Sequence, residues 1–523
     1  MLLLPPGAEV ADALTWLEAA LATLLTLGLL LASARHLWAL RWNLSRDRGS
    51  ALPLPKGSMG WPFFGETLHW LVQGSSFHSS RRQKYGTVFK THLLGKPVIR
   101  VSGAENVRKL LLGEHSLVSA QWPLSTQILL GSHTLLNASA ETHRQRRKIL
   151  ARVFSRAALE TYLPGIQKVM ARELRAWCQE PGPIAVYPSA KTLTFRIAAR
   201  ILLGLRLDEA EFKELSRTFE QLVENLFSLP LNIPFSGLRK GIKARNLLHD
   251  YMEKAITEKL QRKDPEAHSD ALDFIINSAK EYGKEFTMQE LKESSIELIF
   301  AAFFTTASAS TSMILLLLQH PLVITKLQQE LKESGQLPSS LEGPECYCQP
   351  YLTLEKVVRL RYLDCVVKEV LRLLPPVSGG YRTALQTFEL DGYQIPKGWS
   401  VMYSIRDTHE TANIYQSPPD TFDPERFWVS QEEREEPKAA NPHRFHYIPF
   451  GGGVRNCIGK ELAQTILKML AIELVSTARW ELATAHFPKM QTVPIVHPVD
   501  GLQLYFYPLR AGRESGWTSK TDT

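Results

Sequence analysis

Cysteine is scarce in this chain. Five cysteines in 523 residues (Cys178, Cys346, Cys348, Cys365 and Cys457) are too few, and an odd number, for a disulfide-built scaffold. The usage suits a reducing compartment. Cys346 and Cys348 lie in a Pro/Gly/Ser loop, and neither Cys-x-x-Cys-His nor a zinc-type Cys-x-x-Cys pair occurs, which disfavours covalent haem attachment and structural zinc. No dinucleotide-binding glycine motif is visible, and no internal repeat or long low-complexity tract. The only charge run, Glu432 to Glu436, reads as a solvated loop. A basic stripe interleaved with aromatics is missing too, so nucleic acid has no binding signature here. The net charge of +8 then points to anionic lipid or an acidic protein partner, over a surface whose charges are mostly scattered.

One long hydrophobic run is present. Ala13 to Ala34 is apolar except for Glu18 and a few Thr and Ser, and as a helix it would span roughly 33 Å, about one hydrocarbon core. Glu9 and Asp12 precede it; Arg35, Arg41, Arg46 and Arg48 follow it. That asymmetry places the bulk of the chain in the cytosol behind a single-pass anchor. The sequons at Asn43 and Asn137 then stay unglycosylated. A cleaved signal peptide is the competing reading: Ala32-Ser33-Ala34 resembles a cleavage site, but no Lys or Arg precedes the run. The division expected is an anchor with its basic flank over 1–50, a Pro/Gly-rich hinge over 51–62, one catalytic domain over 63–510 and a tail over 511–523.

Apolar spacing predicts a mainly α domain with a smaller β region. Strand-like stretches fall at Val88 to His92 and Val98 to Val101. Helical periodicity follows at Arg144 to Phe154, Ile166 to Cys178, Leu193 to Leu203, Phe212 to Phe227 and Arg245 to Gln261. A longer helix is predicted over Met288 to Gln319, stopped by His320-Pro321, and another over Tyr362 to Leu374, stopped by Pro375-Pro376. Phe388 to Ile395 and Trp399 to Ser404 read as strands around turn signals.

The most informative segment runs from Pro449 to Gly459, with Phe450, Gly453, Arg455 and Cys457 inside it, ahead of a helical run from Leu462 to Ser476. A thiolate bound to haem iron needs close approach of the backbone to the porphyrin, which glycines allow. It needs amide N–H groups aimed at sulfur, which a helix N-terminus supplies while lowering the thiol pKa. It also needs water kept off the sulfur, a task for Phe450. Arg455 can pair with a haem propionate. A plain turn with a buried cysteine competes with this reading. A phosphate loop does not, because GGGxxxxxG fails to match GxxxxGK[ST].

The segment resembles the cysteine-ligand loop F-x-x-G-x-R-x-C-x-G of the cytochrome P-450 family, with Phe450, Gly453, Arg455, Cys457 and Gly459 in place. The resemblance implies the cytochrome P-450 fold, haem b with Cys457 as axial ligand, and use of O2. Three further motifs occur in the family's order. Glu369 and Arg372 match E-x-x-R, and Arg426, in Pro424-Glu425-Arg426-Phe427, would complete a buried structural cluster. His143 and Arg147 stand where the family has W-x-x-x-R, the implied partners of a propionate; Arg382 is a third candidate by position. The face of Arg144, Arg146 and Lys148 reads as a solvated helix face, or as a docking surface for an acidic reductase. Ala301 to Thr306 aligns with A-G-x-[DE]-T-T, which gives Thr305, with Thr306 beside it, the implied role at dioxygen. Phe304 replaces the usual acid and Ala302 the glycine, which puts the normal proton relay in doubt.

A chain this long has no room for a flavin domain beside a full haem domain, so electrons from NADPH come through a separate NADPH–cytochrome P-450 reductase. In anchored members that is the reductase of the endoplasmic reticulum. Gly57 to Pro62, Arg81 to His92, Gly103 to His115 and Thr387 to Thr408 look like the retinoic acid hydroxylases, family twenty-six. The Phe303-Phe304 pair suggests the C-type member. The implied reaction is ring hydroxylation of retinoic acid, mainly at C4, which inactivates it. Arg100 is the candidate anchor for its carboxylate; Trp122, Phe227, Phe304, Val377 and Gly379 are wall candidates by position. A hydroxylase of a sterol or fatty acid, a reductase-independent isomerase and a non-catalytic haem protein remain as alternatives.

Overall fold

The apolar run at the N-terminus becomes part of a 39-residue helix, Pro6–Leu44, in the computed structural model, which describes residues 6–74, 76–261, 270–283, 285–336, 352–428, 445–492 and 495–509. Cys346, Cys348, the Glu432 to Glu436 run and the 511–523 tail lie outside the described residues. Thr15 to Leu37 is solvent-exposed throughout. Among the described residues two helices are long and apolar enough to cross a membrane: this one, with none of its most apolar window buried, and Met288–Gln319, 72% buried. The second is therefore a core helix, and the first has the length, apolarity and exposure that fit a membrane anchor.

Past Ala34 the anchor helix continues for ten residues, about 15 Å. Its last turns pack on the chain that follows. The Trp38 indole N–H donates to the Met59 carbonyl at 3.1 Å. Trp38 and Trp42 stand 5.1 and 5.4 Å from the His92 ring, and Trp42 meets Trp399 edge-on at 5.8 Å. The Arg41 guanidinium lies over both indoles at 5.6 and 5.5 Å, the kind of contact worth about 0.5–1 kcal/mol at an exposed site. The stretch expected as a hinge is also fastened. Lys90 N donates to Lys56 O, Gln394 N to Pro53 O, and Asp47 N to the Gln394 side chain, at 2.9, 3.0 and 2.8 Å.

Two compact units emerge. The first holds the chain up to Ser102, with Ser116–Ser119 and Tyr381–Tyr403; the second holds the rest. The first carries a five-stranded sheet in the order Val88–Leu93, Lys96–Val101, Ser400–Ser404, Gly379–Ala384, Val118–Ala120. Val88–Leu93 and Lys96–Val101 form an antiparallel hairpin, and Lys96–Val101 runs parallel to Ser400–Ser404.

The second unit is helical and centred on Met288–Gln319, whose sequence carries its own start and stop. Thr287 accepts from the Glu290 amide at 3.2 Å while the Glu290 carboxylate accepts from Thr287 N at 2.9 Å, a reciprocal cap. Pro321 opens the next helix, Pro321–Glu333, and so closes this one. Other periodic segments fold close to expectation: Arg156–Gln179, Val186–Ile197, Glu209–Glu224, Gly237–Gln261, Arg361–Leu373 and, after the cysteine loop, Lys460–Thr477. The segment from Arg144 to Phe154 divides into an α-helix, Ala140–Leu150, and a 3-10 turn, Ala151–Phe154.

Candidate functional site: a cysteine loop pinned from three sides

The cysteine loop closes on itself. Cys457 N donates to the Phe450 carbonyl at 2.9 Å, Gly451 N to Ile448 O at 2.9 Å and Asn456 N to Gly453 O at 3.2 Å. Gly459 then caps Lys460–Thr477. Gly453 has φ of +67°, and a Cβ there would lie 2.1 Å from the Leu111 carbonyl oxygen. A close approach that demands glycine is thus to the end of helix Ala104–Leu112. A Cβ at Gly459 would meet only the Phe154 ring, at 3.6 Å. Phe450 is half-buried against the core.

The Cys457 residue is exposed. Surrounding protein pushes its thiol pKa up, while the Gly459 amide, Arg147 and Lys460 pull the other way. The helix start therefore contributes as expected without winning, so the thiol stands above its ordinary value rather than below it. Coordination to a metal would deprotonate it outright. Among the described residues no group of three or more His, Cys, Asp or Glu could hold a metal ion. A single accessible cysteine suits a metal that brings its other ligands with it, as haem iron does.

Beside the loop is a cationic cluster. Arg147 donates to the Asn456 side chain. Arg455 donates to Glu114 at 2.7 Å through Nε, and to the carbonyls of Leu135 and Ala138 at 3.4 and 3.0 Å. His143 is buried 5.7 Å from the His115 ring; burial, then Arg455 and Arg147, hold its pKa down at about 4, so it is neutral at physiological pH. Arg146 departs from expectation. It is buried, donating to Glu290 and the His133 carbonyl, and so is not part of an exposed basic face; Arg144 and Lys148 are exposed.

The Glu–Arg–Arg cluster forms as the motifs implied. Glu369 accepts from Arg372 at 2.7 and 2.9 Å, from Arg426 at 3.2 Å and from Asp423 N at 2.9 Å, and the three charged side chains are at most 1% exposed. The guanidiniums spend their remaining N–H groups on the carbonyls of residues 417 to 421, which is what makes so buried a cluster tolerable. Its link to the loop is a residue that sequence reading missed. His409 Nδ1 lies 3.0 Å from the Arg372 carbonyl, and Nε2 accepts from Ile448 N at 2.9 Å. An amide can only donate, so Nδ1 carries the proton. Burial holds this imidazole at about 4.

On the central helix, Thr305 Oγ1 donates to the Ala301 carbonyl at 2.7 Å. Ala301 and Thr305 keep solvent access on a helix otherwise mostly buried, while Thr306 is 5% exposed. Phe303 is fully buried, edge-on to Phe195 and Phe219, and Phe304 packs 4.5 Å from it with Lys191 Nζ 5.9 Å from its ring. Lys191 pairs with Glu220 at 2.6 Å. Trp122, Val377 and Gly379 are half-buried, and Phe227 is 54% exposed in the loop after Glu209–Glu224. Arg100 and Arg382 belong to the first unit, both buried. Arg100 faces Tyr381 electrostatically, and Arg382 lies 5.3 Å from the Tyr403 ring.

An accessible cysteine in a loop closed on its own backbone, a cationic cluster beside it, a buried Glu–Arg–Arg core behind it and a threonine-bearing central helix define a haem-thiolate protein, and the chain belongs to the cytochrome P450 family, whose model matches residues 55–506. It is 68% identical over 507 residues to the human protein "Cytochrome P450 26C1", covering 95% of this chain and 96% of that one. It is 56% identical over 503 residues to mouse "Cytochrome P450 26B1", covering 96% of each. Both relatives agree with the resemblance to family twenty-six, and the first with its C-type member. Among solved structures it is similar to "Retinoic acid bound cyanobacterial CYP120A1", at 35% identity and a TM-score of 0.77, covering 88% of this chain and all of that one.

Proposed function

We propose that this chain hydroxylates retinoic acid on its ring, mainly at C4, and so inactivates it. The observation that carries the substrate is the similarity to a solved, retinoic-acid-bound P450 over 88% of the chain, together with the family-twenty-six motifs. Haem b, when bound, supplies insertion of one oxygen atom from O2 into a C–H bond, with electrons that come from NADPH through a separate reductase. Cys457 would hold the iron through its thiolate. Arg147, Arg455 and His143 would hold the propionate edge, with Arg382 as a further donor; His143, neutral and buried, would act through a ring N–H. Phe450 is the residue that would keep water off the sulfur, and Gly459 would let the backbone approach the haem. Thr305 holds a hydroxyl proton at Oγ1, donated to the Ala301 carbonyl here, and would turn it to dioxygen when the haem is bound, with Thr306 beside it.

Arg100 is the proposed anchor for the retinoate carboxylate, and a buried guanidinium is the kind of partner a desolvated carboxylate requires. Trp122, Val377 and Gly379 supply wall. Arg144 and Lys148 offer a basic surface to the reductase. The exposed apolar helix and its Arg flank support a single-pass location in the endoplasmic reticulum membrane with a cytosolic catalytic domain.

Phe304 favours one other reading. A central helix without an acid at that position fits a haem-thiolate isomerase, which consumes a peroxide and needs no reductase. Turnover of all-trans-retinoic acid by membranes holding the full chain and added reductase separates the two. NADPH-dependent loss with a hydroxylated product supports the hydroxylase; a sound haem-thiolate spectrum without any loss removes it. Cys457→Ala is expected to abolish the red-shifted carbonyl band.

A further inference from the structure

The central helix commits three acids to one short segment of chain. Glu290, Glu293 and Glu297 stand at i, i+3 and i+7, on one side of the helix. Glu293 and Glu297 are 4% and 7% exposed. Glu293 and Glu297 reach the residues between Gly131 and Leu136, which lead into helix Ala140–Leu150, and Glu290 reaches them through Arg146.

The contacts are specific and complete. Glu293 accepts from His133 N at 2.7 Å and from the Gln289 amide at 2.6 Å. Gly131 makes room for it: its φ is +96°, and a Cβ there would lie 2.1–2.5 Å from the Glu293 carboxyl atoms. Glu290 receives the Arg146 guanidinium, which also donates to the His133 carbonyl. Glu297 uses both oxygens on successive amides, Leu135 N at 2.8 Å and Leu136 N at 2.9 Å. Burial lifts its carboxyl to about 7, and the two N–H groups oppose that.

The same segment presents its carbonyls to Arg455. Leu135 O accepts from Arg455 Nη1 and Ala138 O from Nη2. Glu297 therefore holds the amide side of a short stretch of backbone whose carbonyl side orients the arginine two residues before Cys457.

We propose that Glu297 is a positioning residue for the haem edge: through Leu135 to Ala138 it sets Arg455, and so ties the propionate site to the helix that carries Thr305. The proposal rests on reading Cys457 and Arg455 as haem residues. Removing the carboxylate strands two buried amides, while glutamine keeps one acceptor for them. Leu135 to Ala138 then shift, and Arg455 loses its fixed direction.

The test is a double-mutant cycle on the full-length holoprotein in detergent, read as the rate of haem transfer to excess apomyoglobin. Glu297→Ala is expected to raise that rate about tenfold, Glu297→Gln by less, and Arg455→Ala by at least as much as Glu297→Ala. The double variant should lose haem no faster than Arg455→Ala alone, since both act through one arginine. Glu473→Ala, which removes an equally buried acid bonded to Gln167 on the cysteine helix, controls for general loosening. Additive effects of Glu297→Ala and Arg455→Ala, or transfer no faster than in Glu473→Ala, overturn the proposal. Where Glu297→Ala does not accumulate, the cycle is run with Glu297→Gln under the same criterion. A carbonyl band that survives Cys457→Ala would instead remove the haem-thiolate reading beneath it, a separate outcome.

Discussion

Acid should unfasten the cysteine loop through one histidine. Both ring nitrogens of His409 are committed, Nδ1–H to the Arg372 carbonyl and Nε2 to the Ile448 amide. Charging the ring puts a proton on Nε2, against an N–H that can only donate. Burial, above all, holds the pKa at about 4, from an ordinary value of 6.5. The unfolded chain binds this proton more readily than the folded one. Stability from His409 is therefore complete above about pH 6.5 and lost as pH falls toward 4. The loss works out at about 1.4 kcal/mol near pH 5.5 and about 2.6 kcal/mol near pH 4.5. His409→Gln provides the comparison, because a glutamine amide offers one acceptor and one donor but does not titrate. At about pH 7.5 the variant should be no more than about 1 kcal/mol less stable than wild type, the net worth of a strained hydrogen bond. Near pH 4.5 it should be the more stable of the two by about 2 kcal/mol. Urea titrations of the holoprotein, followed by far-UV dichroism and by the carbonyl band, measure both. Parallel acid slopes for wild type and His409→Gln would refute the reasoning.

Glu297 carries the opposite sign. Its carboxyl is raised to about 7 from 4.5, so the folded state gains relative stability as pH falls from 7 to 4.5; Glu297→Gln should make the acid slope steeper, by up to about 3 kcal/mol, in the same titrations. Glu369→Ala leaves two buried guanidiniums without their carboxylate and should cost about 3–5 kcal/mol, seen as loss of folded, haem-loaded protein on expression. Gly453→Ala combines a positive φ with a clash against Leu111 O, and a destabilisation of about 2 kcal/mol or more, with early loss of the carbonyl band on heating, is expected. Phe304→Glu would place a carboxylate near Lys191; if proton delivery limits turnover, product formed per NADPH consumed rises, and an unchanged ratio shows that Thr305 and water already suffice.

What could be read in advance was local. The ends of Met288–Gln319 are written in Thr287, Glu290 and Pro321, residues adjacent to the boundaries they set. The cysteine loop is compressed into eleven residues, and Glu369 and Arg372 are one helical turn apart. The residues that escaped notice have distant partners. Glu114 meets Arg455 across 341 residues, Glu297 meets Leu135 across 162, and His409 joins Arg372 to Ile448 across 37 and 39. Periodicity carries no signal for such pairs, because neither partner's neighbours reveal the other. Arg146 was misjudged for the same reason: its helix face reads as basic and solvated until Glu290, 144 residues away, is brought against it.

The fastening of Trp38 and Trp42 into the first unit makes the phase of the anchor helix matter. A flexible tether would transmit nothing but distance. A continuous helix transmits rotation: each residue added between Ala34 and Trp38 turns the two indoles by about 100° around the axis and lifts them about 1.5 Å. A one-residue insertion there would swing Trp38 and Trp42 off His92 and Trp399, whereas an insertion of seven residues, nearly two whole turns, would restore their facing with a longer stem. The way the apolar run is set against the sheet unit is thus quantised by helix register, and the length of the stretch after that run is as much a part of the protein's specification as its composition.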